Sequence, residues 1–93
     1  MARATDANQG EIVAALREVG CLVRDTHTLG KGAPDIIVLY RGRLSWLEVK
    51  TPGGKLTPAE QAFHDLWCVA ARGPIWTVRS VDDALQAVGV EVG

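Results

Sequence analysis

A short turn between two apolar segments is the feature that most constrains how this sequence can fold. Two strand-like runs, IIVLY and LSWL, are separated only by RGR at residues 41–43. This pattern predicts an antiparallel hairpin. Pairing then brings Asp35, before the first strand, close to Glu48 and Lys50, which the period of two places on one face. The sequence therefore predicts three ionisable groups at one end of an apolar hairpin.

The remaining elements are predicted from apolar periodicity and helix-capping signals. TPAE at residues 57–60 combines a capping threonine, a proline at the first helical position and a glutamate three residues after the cap, which predicts a helix. The other predicted elements are a helix over residues 6–19, a strand over 21–24, a strand over 75–78 and a final helix capped by Ser80. The predicted order is helix, three strands, helix, strand, helix.

Length and composition favour one small folded domain. A chain of 93 residues, 47% of them apolar, predicts a single α/β domain over residues 1–93, with helices flanking a small mixed β-sheet. No apolar run is long enough to span a bilayer and no signal peptide is recognisable, so we expect a cytoplasmic protein.

Cys21 and Cys68 are expected to be reduced. The three tryptophans are expected to build the core, with stacking on unpaired bases as the alternative; they are Trp46, Trp67 and Trp76.

The charged residues are distributed unevenly along the chain. The net charge of -1 is not typical of a nucleic-acid-binding protein, but residues 24–55 contain six basic and three acidic residues. A basic surface around the hairpin is one interpretation, and a solvated surface of mixed charge is the other.

The convergent charges themselves suggest a chemistry. Two carboxylates held a few ångströms apart repel each other unless a proton or a cation lies between them. Oxygen ligands in a partly open site suit Mg²⁺ or Mn²⁺, and such an ion polarises a phosphoryl oxygen and activates water. An adjacent ammonium such as that of Lys50 can stabilise the negative charge of the transition state. The structural alternative is a salt bridge at a strand end.

Four motifs in a fixed order extend this hypothesis. They are GAPDIIV at residues 32–38, GR at 42–43, LEVKT at 47–51 and LTPAEQ at 56–61. Together they resemble the PD-(D/E)xK nucleases and, more closely, the VRR-NUC family of virus-type replication and repair nucleases. The resemblance implies a restriction-endonuclease-like core and a metal-dependent endonuclease, using Mg²⁺ or Mn²⁺, that cuts branched or structured DNA such as Holliday junctions. It also implies a homodimer that serves phage or bacterial DNA replication, repair or recombination. A non-catalytic nucleic-acid-binding module with this fold is the alternative.

The resemblance also implies roles for individual residues. Asp35 and Glu48 ligate the metal, the Val49 carbonyl adds a ligand, and Lys50 assists the attacking water. Gln61 matches a catalytic glutamine, although helical geometry equally allows it to face solvent.

The first helix departs from the family pattern, which has a glutamate there. Gln9 is our first candidate for that metal-site position, followed by Glu11 and Asp6.

Lys31, Lys55 and Arg24 are candidate DNA contacts near the site. His27 lies in the loop before Pro34, where it could approach a phosphate or simply be exposed.

Overall fold

The element order predicted from the sequence is confirmed by the computed structural model. The structure describes residues 4–68 and 75–91, with side chains described from Asn8 onward. Its helices and strands are α1 (Ala4–Glu18), β1 (Leu22–Asp25), β2 (Ile36–Tyr40), β3 (Arg43–Val49), α2 (Pro58–Trp67), β4 (Ile75–Val78) and α3 (Val81–Val88). One feature was not predicted: a single 3₁₀ turn at His27–Leu29, in the segment between β1 and β2.

The strands form a mixed sheet in the order β1-β2-β3-β4. The first three strands are antiparallel, and β4 runs parallel to β3. Because Tyr40 pairs with Arg43, the central hairpin turn contains only Arg41 and Gly42. Both have positive φ, 49° and 78°, as a type I′ turn requires. The predicted three-residue connection is therefore one residue too long, since Arg43 already belongs to β3.

The hydrophobic core lies between one face of the sheet and the helices α1 and α3. Ile12 and Leu16, one helical turn apart on α1, are both fully buried, as are Ala84 and Val88 on α3. The sheet contributes the alternate residues of its strands: Val23, Ile36, Val38, Leu47, Val49 and Val78. No helix in the described parts of the chain is long and apolar enough to cross a membrane.

The opposite face of the sheet is covered more thinly, by α2. The ring of Trp46 on β3 contacts Phe63 and Trp67 edge to face, with centroids 5.2 and 5.6 Å apart. No residue of α2 is buried. The expectation that all three tryptophans build the core is wrong: Trp46 is half-buried, but Trp67 is 51% exposed and Trp76 is 40% exposed. Trp67 stacks on Phe63 and contacts Trp46, but the rest of its side chain stays exposed. Trp76 lies on β4 at the sheet edge. Cys21 and Cys68 are free thiols, as expected.

Candidate active site

Asp35 lies at the start of β2, beside the end of β3. Its backbone N–H donates to the Leu47 carbonyl over 3.1 Å, and its Oδ2 accepts from the Val49 N–H over 2.7 Å. At the end of β3, Glu48 and Lys50 flank Val49, the last residue of the strand, and the Lys50 Nζ lies 3.9 Å from Glu48 Oε2. The structure thus brings together the three ionisable residues whose convergence the hairpin predicts.

Glu48 is the most strongly perturbed of these groups. It is only 1% exposed, and its Oε1 has no hydrogen-bond partner. Burial raises the pKa of its carboxyl to about 9, helped by a hydrogen bond with Asp35 and by the negative charges of Asp35 and Glu60. The positive charge of Lys50 opposes this rise only in part. With nothing else bound, Glu48 therefore carries a proton at neutral pH.

The same arrangement has the features of a small divalent-cation site. Among the described residues no group of three or more His, Cys, Asp or Glu side chains is placed to hold a metal ion. Mg²⁺, however, is commonly bound by one or two carboxylates and keeps several waters. An unpartnered carboxylate oxygen of Glu48 beside Asp35, with the Val49 carbonyl nearby in sequence, supplies oxygen donors of that kind. The residues fit such an ion, and the ligand roles of these three remain predictions.

Glu60 is a site residue that the sequence analysis missed. Its Oε1 lies 2.7 Å from the Lys50 Nζ, much closer than Glu48 does. The same atom accepts from the backbone N–H of Thr57, which closes the capping box of α2. Burial opposes ionisation of Glu60, but hydrogen bonds from Lys50 and Thr57 outweigh it and lower the pKa of this carboxyl. The TPAE motif predicted the cap, but nothing local indicated the long-range partner.

The first helix contributes Asn8 to the surroundings of Lys50, a contact that the sequence analysis did not predict. The Asn8 Nδ2 donates to the Lys50 carbonyl over 2.9 Å and so joins α1 to the end of β3. Asn8 precedes Ile12 by four residues and shares its face, a signal that could have found it. Gln9 instead donates to Asp25 over 3.4 Å, and Glu11 is exposed. Asp6 belongs to α1, but its side chain lies outside the part of the chain whose side chains are described.

Thr26 links three segments around Asp35. Its N–H donates to the Asp35 carbonyl over 2.8 Å, and its Oγ1 donates to the Pro34 carbonyl over 2.8 Å. The indole N–H of Trp46 donates to the same hydroxyl over 2.8 Å. Thr26 therefore fixes the backbone that carries Asp35. An isolated threonine in a polar loop offers no sequence signal for this role.

Gln61 and the predicted DNA contacts lie on the surface. Gln61 is exposed and donates to Asp65, one turn along α2, over 2.9 Å. Arg24, Lys31 and Lys55 are exposed, and none forms an ion pair within the part of the chain that the structure describes.

Two other basic residues of segment 24–55 serve the fold instead. Arg43 donates to the Ala87 carbonyl near the end of α3 over 3.2 Å. The Arg41 guanidinium lies over the Tyr40 ring, 5.3 Å from its centroid.

His27 is paired within its own loop. Its Nδ1 contacts Asp25 Oδ1, and its N–H donates to the same oxygen over 3.0 Å. The side-chain hydrogen bond from His27 lowers the pKa of the Asp25 carboxyl. His27 and Asp25 therefore form a local pair at the end of β1, next to the segment that leads to Asp35.

Comparison with known proteins supports a nuclease-type domain with this fold. No protein-family model matches the sequence, and no curated protein matches it. The structure is similar to a solved chain described as a VRR_NUC domain, with a TM-score of 0.75 and 26% sequence identity. The alignment covers 94% of this chain and 96% of that chain. The similarity confirms the mixed α/β fold and the resemblance to VRR-NUC domains, and it supports a nuclease-type domain.

Proposed function

We propose that this protein is a divalent-metal-dependent endonuclease that hydrolyses DNA phosphodiester bonds. The observation that carries the proposal is the carboxylate pair at the end of the hairpin, formed by the half-buried Asp35 and the buried Glu48, with the Lys50 ammonium beside it. A strand-end salt bridge would leave both carboxylates exposed and paired. A buried Glu48 oxygen without a partner is unfavourable for folding alone, and such groups are concentrated at functional sites.

Each residue of the site has a chemical task in this proposal. Asp35, Glu48 and the Val49 carbonyl would hold Mg²⁺ or Mn²⁺, which when bound supplies Lewis acidity toward a phosphoryl oxygen and toward water. The Val49 N–H holds the Asp35 carboxylate at the end of β3 by a 2.7 Å hydrogen bond. Lys50 places a positive charge where negative charge develops on the phosphate during hydrolysis, and it can orient the attacking water.

The substrate and the assembly follow from the resemblance to VRR-NUC domains. We infer branched or otherwise structured DNA as the substrate, and a homodimer whose two sites face opposed strands. The exposed Arg24, Lys31 and Lys55 supply phosphate contacts outside the catalytic centre. Light scattering tests the assembly: a dimer has twice the 10.0 kDa mass of the chain.

A cleavage panel tests the proposal. The purified protein is incubated with junction, flap, duplex and single-stranded DNA, each with Mg²⁺, Mn²⁺ or EDTA. Cleavage with either metal and none in EDTA is the expected result. Undiminished cleavage in EDTA contradicts the mechanism, and DNA binding without cleavage under every condition supports a non-catalytic binding module.

A further inference from the structure

The Lys50 ammonium lies between two carboxylates at unequal distances. Its Nζ is 2.7 Å from Glu60 Oε1 and 3.9 Å from Glu48 Oε2. All three side chains are largely shielded from solvent, with exposed fractions of 13%, 19% and 2% for Lys50, Glu60 and Glu48. The ammonium therefore forms its close ion pair with Glu60 and only a long contact with Glu48.

This choice of partner has a consequence for Glu48. A lysine that formed a close ion pair with Glu48 would neutralise the carboxylate and compete with any cation for its oxygens. A lysine side chain is long and flexible, so its own rotamers do not prevent that contact. A second, better-placed acceptor is therefore needed to keep Lys50 from forming a close ion pair with Glu48.

The position of Glu60 is fixed independently of Lys50. Glu60 occupies the third position of α2, where Thr57 N–H donates to its Oε1 over 2.8 Å and its own N–H donates to Thr57 Oγ1 over 3.2 Å. Gly32 packs directly against this turn, since a Cβ at Gly32 would lie 2.2 Å from the Ala59 carbonyl oxygen. The capping box and this close packing hold the carboxylate in place.

We propose that Glu60 is a positioning residue that draws the Lys50 ammonium away from Glu48 and so keeps the Glu48 carboxylate available to a divalent cation. The inference rests on the proposed function, because it concerns the same cation site. Its test, however, does not require cleavage.

The test is a double-mutant cycle on Mn²⁺ affinity, measured by calorimetry on the full chain. Glu60→Gln keeps an oxygen acceptor for the Thr57 N–H but loses the charge that holds Lys50. We expect Glu60→Gln to weaken Mn²⁺ binding about tenfold when Lys50 is present. In a Lys50→Met background there is no ammonium to move, so the same substitution should change the affinity less than about twofold.

A control separates positioning from helix stability. Thr57→Ala removes the hydroxyl of the capping box but retains the backbone N–H that binds Glu60, so Mn²⁺ affinity should stay unchanged. An equal loss from Glu60→Gln in both backgrounds would show that only the charge of Glu60 matters, and it would overturn the proposal. No loss in the wild-type background would overturn it too.

A crystal structure of Glu60→Gln provides a second readout. The Lys50 Nζ should move from 3.9 Å to within close ion-pair distance of Glu48. A lysine that stays at its present distance, or turns to solvent, overturns the proposal. If the wild-type protein binds no Mn²⁺, the proposed cation site is wrong. The distance between Lys50 Nζ and Glu48 in Glu60→Gln then tests only whether Glu60 holds Lys50 away from Glu48.

Discussion

The Asp35 Oδ2 accepts a 2.7 Å hydrogen bond from the backbone N–H of Val49, the residue between Glu48 and Lys50. This bond crosses the hairpin just beyond the last strand pair, Ile36 with Leu47. It ties the side chain of the residue just before β2 to the backbone of β3. The orientation of the Asp35 carboxylate therefore depends on the same strand that carries Glu48, and anything that loosens the start of β2 should disturb the site.

Thr26 is the first place to test that dependence. Thr26→Val leaves the Trp46 indole N–H without its acceptor and the Pro34 carbonyl without its donor. A buried polar group left unsatisfied costs on the order of 1–3 kcal/mol. We expect the free energy of unfolding, measured by urea denaturation, to fall by about that amount.

Thr28→Val is the matched control, because Thr28 lies two residues away and is exposed. Its free energy of unfolding should change by no more than about 0.5 kcal/mol. Equal losses in the two variants would mean that the Thr26 hydroxyl has no special role around Asp35.

Gly32 should be intolerant of any side chain. Its φ is +84°, and a Cβ would lie 2.2 Å from the Ala59 carbonyl oxygen. Gly32→Ala should therefore lower the free energy of unfolding by about 3 kcal/mol through backbone strain and overpacking.

Gly53→Ala is the control for this substitution. A Cβ at Gly53 would meet nothing within 4 Å beyond its chain neighbours, and the φ of Gly53 is not positive. The free energy of unfolding of Gly53→Ala should therefore stay within about 0.5 kcal/mol of wild type. Urea denaturation of both variants checks this, and a tolerated Gly32→Ala would show that the loop does not dock on α2.

Local signals predicted the parts of the fold that local physics determines. The turn between β2 and β3 fixes the antiparallel register, and the register alone brings Asp35 beside Glu48 and Lys50. The start of α2 was likewise predictable, because Thr57 and Glu60 form a capping box and Pro58 occupies the first helical position.

The contacts that sequence reasoning missed join segments far apart in the chain. Asn8 reaches the Lys50 carbonyl across 42 residues, and Trp46 reaches Thr26 across 20. The spacing from Asn8 to Ile12 shows which face of α1 carries Asn8, but the partners of Asn8 and Trp46 depend on how α1 and the β1–β2 loop pack on the sheet, which no local pattern encodes. The exposure of Trp67 was missed for a related reason: an apolar helical stripe shows that a face is covered but not how deeply.

Glu48 should make the stability of the metal-free protein depend on pH. Its pKa is about 9 in the folded protein against an ordinary value of 4.5, so the folded state holds its proton more tightly than the unfolded chain. This stabilising contribution is complete below pH 4.5 and is lost progressively as the pH rises toward about 9. Urea denaturation in EDTA should therefore show a lower free energy of unfolding at pH 9 than at pH 7.

Glu48→Gln is the control for this pH dependence, because an amide cannot ionise. Its free energy of unfolding should change less between pH 7 and pH 9 than that of the wild type. Saturating Mn²⁺ should also reduce the wild-type change, since the cation replaces the proton. Identical pH profiles for wild type and Glu48→Gln would contradict the assignment.

Lys50 and the surface lysines should affect different kinetic steps. Lys50→Ala should lower the single-turnover cleavage rate by on the order of 10²-fold or more while most junction affinity remains. Lys31→Ala and Lys55→Ala should weaken binding, with a smaller salt dependence, and leave the rate at saturating DNA nearly unchanged. Rates and binding curves on one junction substrate separate the two outcomes. A normal rate for Lys50→Ala at saturating DNA would make Lys50 only a phosphate contact.

The most direct test of the account compares wild type with Asp35→Asn at saturating junction DNA, with calorimetric titration of Mn²⁺ on the same samples. Asparagine keeps an oxygen that can accept from the Val49 N–H but removes the negative charge that would hold the cation. We predict that Asp35→Asn binds the junction at least as well as wild type, loses Mn²⁺ binding and does not cleave. Wild-type cleavage that proceeds in EDTA, or an Asp35→Asn variant that cuts at the wild-type rate, would contradict the claim that Asp35 and Glu48 form a catalytic metal site.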